Sequence, residues 1–466
     1  MSGEAKTKDR LAPWTAVGFL ALFLAISFAD RFILSLLVEP IKGDLGVTDT
    51  KIGLLIGTTF ATFYTLFALP ISRLADRTNR RNLIVTGVLL WSGATIASAF
   101  AASFETLLFL RLGVALGEAV LIPSAVSMIG DLFTRDRRNL PTSVFLGVGT
   151  SGGSAALIIG AAGLQLVGSP WVQALPWIGD LAPWRLTLLF IGLPGILVAL
   201  VFAAAVREPP RVAHGATARA TLRDIGHHLR EFAPCYVGVF SLSGLVSILS
   251  LSFLSWYPTH LVRSYGLNAA EAGYAFGLIG IAATLTGGVL LPGIVDLLGR
   301  QGYNDGFMRA GICALLALAP CIYMCLSAGS LSGSLIFSAP AYLITFGMGI
   351  MCTTTVPLLP PANMRAQVSA IYLLVANAIG LGIGPAAVAF LSDRMFPGAN
   401  GLGIALIALA SVIIPLGIAL LIWSRRSLLR ALAQAAIREN EVTDPARSDT
   451  WTIVDTSTLR YLNRSI

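Results

Sequence analysis

Apolar runs of 18 or more residues recur along nearly the whole chain, and runs of that length have few structural solutions. Each is long enough to cross a bilayer as a helix, the form that bonds all of its own backbone groups internally. We segment twelve, at 13–38, 52–72, 82–102, 105–130, 141–166, 184–206, 233–262, 270–298, 308–328, 332–357, 366–392 and 401–424. Composition agrees, because only 12% of the 466 residues are charged, about half the fraction of a soluble domain. The first run is too long for the apolar core of a cleaved leader, so it is expected to stay as a span. All five cysteines (Cys235, Cys313, Cys321, Cys325 and Cys352) fall inside spans, which suits packing better than disulfides.

The net charge of +8 is placed rather than spread. Arg73, Arg77, Arg80 and Arg81 follow span 2, and Arg135, Arg137 and Arg138 follow span 4. Arg207, Arg211, Arg219, Arg223 and Arg230 fill the connector 207–232, and Arg425, Arg426 and Arg430 follow span 12. The alternate loops are nearly neutral. This alternation follows the positive-inside rule and puts both termini in the cytoplasm of a cell inner (plasma) membrane. The positive charge is therefore a topology signal and not a nucleic-acid patch.

The connector divides the spans six and six. "SRLADRTNRRN" after span 2 and "GIVDLLGRQG" after span 8 each set an aspartate four residues before an arginine: Asp76 with Arg80, and Asp296 with Arg300. The aspartates are 220 residues apart, close to half the chain. The expected fold is all-α, twelve transmembrane helices in two pseudo-symmetric six-helix bundles. The expected parts are a first bundle at 1–206, a linker at 207–232 with an amphipathic stretch near Leu222–Leu229, a second bundle at 233–426 and a cytoplasmic tail at 427–466. Parallel repeats with a cargo site between them are a transporter architecture.

At this point the sequence resembles the major facilitator superfamily. That family's loop after its second helix reads Gly-x-x-x-Asp-Arg-x-Gly-Arg-Arg/Lys; here the positions hold Ser72, Asp76, Arg77, Asn79, Arg80 and Arg81. Both glycines are replaced and the charges are kept. Span 5, "GVGTSGGSAALIIG", is glycine-rich and lacks the proline common in antiporters. "ADRFILS", with Asp30 and Arg31, and "RLGVALGEA", with Arg111, Gly117 and Glu118, look like elements of Spinster-like transporters. Ala115 stands where that pattern has glycine. The resemblance implies a proton-coupled carrier with Asp30 and Glu118 as protonation sites. Eukaryotic members are linked to lysophospholipids and sphingosine 1-phosphate.

The residues support a related reading without the resemblance. Asp30, Arg31, Arg111 and Glu118 are the ionisable groups well inside the spans. Unpaired, the four cost on the order of 10 kcal/mol, so they are expected to face a cavity and find partners. Arg111 and Glu118 are two turns apart on one helix face, separated by about 10 Å. A carboxylate that gains and loses an arginine partner is a switchable proton site, and Arg31 and Arg111 are candidate charge partners or cargo ligands. Shifted by the repeat offset, Asp30 falls on Ser250, Arg111 on Leu331 and Glu118 on Ser338, all uncharged. The second half offers Ser247, Ser250, Ser252, Ser255 and Thr353 to Thr355 instead. The alternative role for the charges is a fixed network that sets helix packing.

Asp76, Arg77, Arg80, Arg81, Asp296 and Arg300 are candidates for an inner gate. Gly147, Gly149, Gly152 and Gly153, with Gly160, are candidates for close helix packing. Pro123, Pro194, Pro292 and Pro385 are expected to kink their helices. Trp171, Trp177 and Trp184 are expected to anchor the outer interface. An enzyme is disfavoured, since His214, His227, His228 and His260 form no metal or triad spacing. An ATP-driven pump is disfavoured too, since Lys6, Lys8, Lys42 and Lys51 sit in no phosphate loop. No cofactor is expected beyond a proton gradient. The partners expected are membrane lipids, protons and a small amphipathic molecule, handled by a monomer. A lysolipid is the first cargo reading; a small organic anion or drug-like molecule, coupled or facilitative, is the second.

Overall fold

A computed structural model describes residues 2–134, 137–176, 181–211, 221–303 and 305–443. The readings made for Arg135, Trp177, His214, Arg219 and the tail beyond Thr443 lie outside the described residues. Each expected span is helical, and we number the long helices in chain order. They are α1 (Ser2–Ile33), α2 (Asp49–Gly53, a π turn Leu54–Thr58, then Thr59–Arg77), α3 (Arg80–Ser98) and α4 (Phe104–Glu118 and Leu121–Leu132). Next come α5 (Asn139–Val167), α6 (Pro183–Ala205), α7 (Ala233–Tyr265) and α8 (Ala269–Arg300). The last are α9 (Gly306–Leu326), α10 (Leu331–Thr355), α11 (Arg365–Arg394) and α12 (Gly401–Thr443). Among the described residues ten are long and apolar enough to cross a bilayer. An eleventh, α5, is so as a pair of segments bent by 51°. The remaining helix, α3, has 19 residues and opens on the polar Arg80, Arg81 and Asn82.

The helix ends follow local chemistry. Asn79 is extended (φ −67°, ψ 111°) and its side chain accepts the Asn82 N–H at 2.8 Å. A residue in that conformation needs no glycine, and asparagine adds an N-cap there. The linker helix Leu222–Glu231 starts on a capping box, and hydrogen bonds from the Thr221 hydroxyl and N–H hold the Asp224 carboxyl below its ordinary range. Gly46 ends the short helix Val38–Leu45 at φ 63°, where a side chain would be strained. Span 4 is broken at Ala119–Val120, because Pro123 has no N–H for the Ala119 carbonyl and its ring crowds that oxygen.

The packing repeats. In the first half α1 packs on α5 and α6, α3 on α4 and α6, and α2 on α4. In the second half α7 packs on α11 and α12, α9 on α10 and α12, and α8 on α10. Adding six to each helix number converts the first set into the second. The halves meet along α5–α8 and α2–α11, which the same shift exchanges.

Small residues make both seams close. A Cβ on Gly57 of α2 would lie 2.5 Å from the Leu381 carbonyl of α11, and one on Gly53 would lie 2.8 Å from the Pro385 carbonyl. On the other seam, a Cβ on Gly277 of α8 would lie 3.0 Å from the Ser154 carbonyl. Without a hydrophobic drive between helices in lipid, such backbone approach supplies the attraction. Gly53 and Gly277 lie toward the end of the bundle that carries the α1–α2 connection, so the halves are shut there. We call it the closed end, and the opposite one, with the α2–α3 turn and the linker, the open end.

Candidate functional site

Asp30 and Arg31 fall in the last turns of α1, and Glu118 is the last residue of the first segment of α4. The four buried charges form two pairs that cross between α1 and α4. Arg111 Nη1 donates to Asp30 Oδ1 at 2.9 Å, and Arg31 Nη2 to Glu118 Oε2 at 2.6 Å. Arg111 and Glu118 do share a face, as the spacing implies, but each is neutralised by a residue of α1 rather than by the other. Asp30, Arg111 and Glu118 are each at most 2% exposed, while the Arg31 side chain is 17% exposed. Arg31 is therefore the member of the set left partly accessible, and its ring neighbours Phe60 and Tyr64 lie on α2, which packs on α11 of the other half.

Neighbours missing from the sequence reading complete the network. Thr95 of α3 donates to Asp30, and Ser27 donates to Glu118 Oε2 at 2.7 Å. The Arg31 guanidinium lies 4.3 Å from the Phe60 ring centroid, with Phe28 at 5.3 Å and Tyr64 at 5.5 Å. Cation–π contacts of this kind hold a charge that has been taken from water. Glu118 Oε1 and Arg111 Nη2 are buried without a hydrogen-bond partner. A proton can therefore add at Oε1 without breaking either bond to Oε2, and in doing so it removes the charge that holds Arg31.

The closed end carries a second charge group. Arg263 of α7 donates to Glu39 at 2.7 Å and to both oxygens of Asp49 at 2.6 and 2.7 Å. Asp393 of α11 accepts the Thr50 N–H and hydroxyl, each at 2.6 Å, and so caps the start of α2 from the other half. Sequence reading passed over this group because its members sit at span ends, where charge is unremarkable.

The gate candidates separate. Asp76, Arg77, Asp296 and Arg300 are exposed at the open end. Arg80 is buried and bound to Asp131 at 2.5 Å and Glu208 at 2.8 Å, while Arg81 donates to the Val206 carbonyl at the end of α6. These two tie α3 to α4 and α6 within one half. Of the packing candidates, Cβ atoms on Gly149 and Gly152 would meet Phe28 at 3.4 and 2.8 Å, and on Gly153 would meet Leu254 at 2.6 Å. One on Gly147 would meet nothing within 4 Å. Trp171 is exposed, but Trp184 is buried and donates to Asp44 at 3.0 Å, which replaces the interfacial role expected of it. In the second half, Ser250, Ser252, Ser255 and Thr355 are buried and Thr353 is exposed.

Two repeats of six helices, seams that among the described residues close toward one end, and a buried charge network beside one of them are the features of a secondary carrier. The chain belongs to the Major Facilitator Superfamily, whose description matches residues 20–385. It is a multi-pass integral membrane protein of a family of transporters, not enzymes. It is 28% identical over 411 residues to an MFS-type efflux pump of Mycolicibacterium smegmatis, covering 86% of this chain and 91% of the pump. It is 27% identical to human protein spinster homolog 1, covering 81% of this chain and 73% of that protein. It is 28% identical to a D-galactonate transporter of Escherichia coli, covering 64% and 71%. A crystal structure of a bacterial homolog of the lysosomal transporter Spinster, inward-facing and unoccupied, superposes with TM-score 0.79 at 24% identity, covering 90% of this chain and 98% of that one. The likeness expected from Asp30, Arg31 and Glu118 is thus found over most of the chain.

Proposed function

We propose that this protein is a proton-coupled secondary transporter working by alternating access on an anionic cargo. The observation that carries the reading is the crossed pairing of Asp30 with Arg111 and Glu118 with Arg31, with Arg31 the one member of the four left partly accessible. Glu118 binds the proton at its unpartnered Oε1, Arg31 is released, and the cargo anion takes the place of the carboxylate. Asp30, the second candidate proton site, keeps Arg111 neutralised while Glu118 carries the proton. The closed end is the outer face, latched by Arg263, Asp49, Glu39 and Asp393. Asp76, Arg77, Asp296 and Arg300 form the inner gate when the carrier turns over, and Arg80 and Arg81 brace it. The bundles 1–206 and 233–426 rock about the linker 207–232 in a plasma membrane, as a monomer, with both termini in the cytoplasm.

The likeness to spinster homologues supports a lysolipid or similar amphipathic anion as cargo. The relationship to a D-galactonate transporter supports a second reading, a small organic anion. The test is uptake of labelled lysophosphatidylglycerol and of labelled D-galactonate into proteoliposomes, with and without an imposed pH gradient. The reading expects one of them to accumulate only with the gradient, and Glu118→Gln to abolish accumulation while leaving cargo exchange. Uptake that ignores the gradient would contradict it.

A further inference from the structure

The seam between α2 and α11 leads to an exposed polar residue of the second half. Leu381 and Pro385 are the α11 residues that Gly57 and Gly53 approach, and Thr58 donates to the Gly382 carbonyl at 2.6 Å. Stepping back by fours along that stripe gives Asn377 and Leu373, and both are exposed. The stripe that seals the closed end is therefore bare one turn further on. It is not the lipid face: Ile383 and Phe390, each 52% exposed, mark that face. At 100° per residue Asn377 is about 120° round from Ile383 and only about 40° from Leu381. On α2 the sealed stripe passes through Ala61, and the next turn brings Tyr64, whose ring flanks Arg31. Asn377 and the caged Arg31 thus border the same opening from opposite halves.

The chemistry of the two sides differs. Asn377 spends one amide N–H on the Leu373 carbonyl at 2.8 Å, which leaves a second N–H and its Oδ1 open. A neighbouring chain of hydroxyls fixes the surrounding helices: Ser243 of α7 and Tyr372 of α11 at 2.7 Å, then Thr353 of α10 at 3.2 Å from Tyr372. Thr353 donates to the Gly349 carbonyl at 2.9 Å. Its single proton is used there, so toward Tyr372 it accepts, and Tyr372 in turn accepts from Ser243. The second half thus presents an uncharged donor and acceptor on a braced frame opposite a cation.

We infer that Asn377 is the second half's specificity residue, reading a free hydroxyl on the cargo whose negative group binds Arg31. This rests on the anion-carrier reading above and narrows it to hydroxylated anions. The shared chemistry, a charge a few bonds from a hydroxyl, occurs in a sugar acid and in the glycerol of a lysolipid.

The experiment uses the full chain in proteoliposomes. It compares D-galactonate with hexanoate, and lysophosphatidylglycerol with its analogue lacking the glycerol hydroxyls, in the wild type, Asn377→Leu and Asn377→Gln. In whichever pair the wild type transports, Asn377→Leu is expected to raise KM for the hydroxylated member about 10- to 100-fold, as for one or two lost hydrogen bonds to a polar site. It leaves the bare member unchanged, and Asn377→Gln recovers part of the loss. Which pair responds identifies the source. An unchanged preference in Asn377→Leu overturns the inference while gradient-driven uptake by the wild type still upholds the carrier reading. Equal weakening of both members assigns Asn377 to the frame and overturns the inference too, and a wild type that transports neither pair overturns both.

Discussion

At the residue scale, the two ion pairs differ in what each can lose. Asp30 and Arg111 are both buried, so removing the carboxylate leaves a guanidinium without a counter-charge in the protein interior. Asp30→Ala is expected to destabilise by about 3–5 kcal/mol, the range for breaking a buried pair. Glu118→Ala costs less, because the partly exposed Arg31 can turn to water and keeps Phe60 and Tyr64 beside it. Thermal unfolding of the two variants in detergent reads the difference; equal losses would mean that Arg31 is as enclosed as Arg111. Pairing Asp30→Asn with Arg111→Gln is expected to recover part of the stability lost in Asp30→Asn alone, since neighbouring groups are not additive. Four residues of this centre were legible in the sequence, because a charge in an apolar helix stands out. Ser27, Thr95, Phe60 and Tyr64 were not, because hydroxyls and aromatic rings are ordinary inside a span and only the fold says which of them face a charge.

At the element scale, the twelve helices were legible and their breaks were only partly so. Apolar length marks a span, but the Ala119–Val120 break follows from one proline acting on the carbonyl four residues before it. Pro123 was visible as a kink, yet nothing in the sequence tied it to the residue after Glu118. Pro123→Ala is expected to join the two segments of α4 and move the Glu118 carboxylate away from Arg31, which lowers transport more than stability. A full transport rate in that variant would show that the break does not position Glu118. The glycines of α5 stood out as packing residues, but Gly149 and Gly152 face Phe28 of α1 rather than α8, and the seam glycines of α2 and α8 were missed, since a glycine in a span has several uses. Gly57→Val forces a side chain onto the Leu381 carbonyl. On a background without the exposed Cys313, it is expected to raise the reactivity of a cysteine at Thr50 toward an impermeant thiol reagent. Unchanged reactivity would mean that the ion group alone keeps the end shut.

At the scale of the whole molecule, one shift of six helices relates the packing of the halves, yet charge breaks the symmetry. With the N-caps Ser103 of α4 and Ser330 of α10 in register, Arg111 and Glu118 fall on Ser338 and Thr345 of α10, so the first half holds the buried charges and the second presents neutral groups there. The latch of Arg263 with Asp49 and Glu39 holds the end that is closed in this conformation. Arg263→Ala is expected to widen the distance between spin labels at Lys51 and Asn400 in a larger fraction of molecules, as loss of a state-specific contact shifts a population. An unchanged distance distribution would remove the latch from the cycle.

The central claim is that cargo and proton share the space around Arg31 and Glu118, and proton movement tests it most directly. With no pH gradient imposed, cargo is added outside proteoliposomes that hold a trapped pH indicator, and the internal pH is followed. The account predicts that cargo running down its own gradient changes internal pH in the wild type and that Glu118→Gln transports cargo without any pH change. An unaltered pH signal in Glu118→Gln and in Asp30→Asn alike would contradict it.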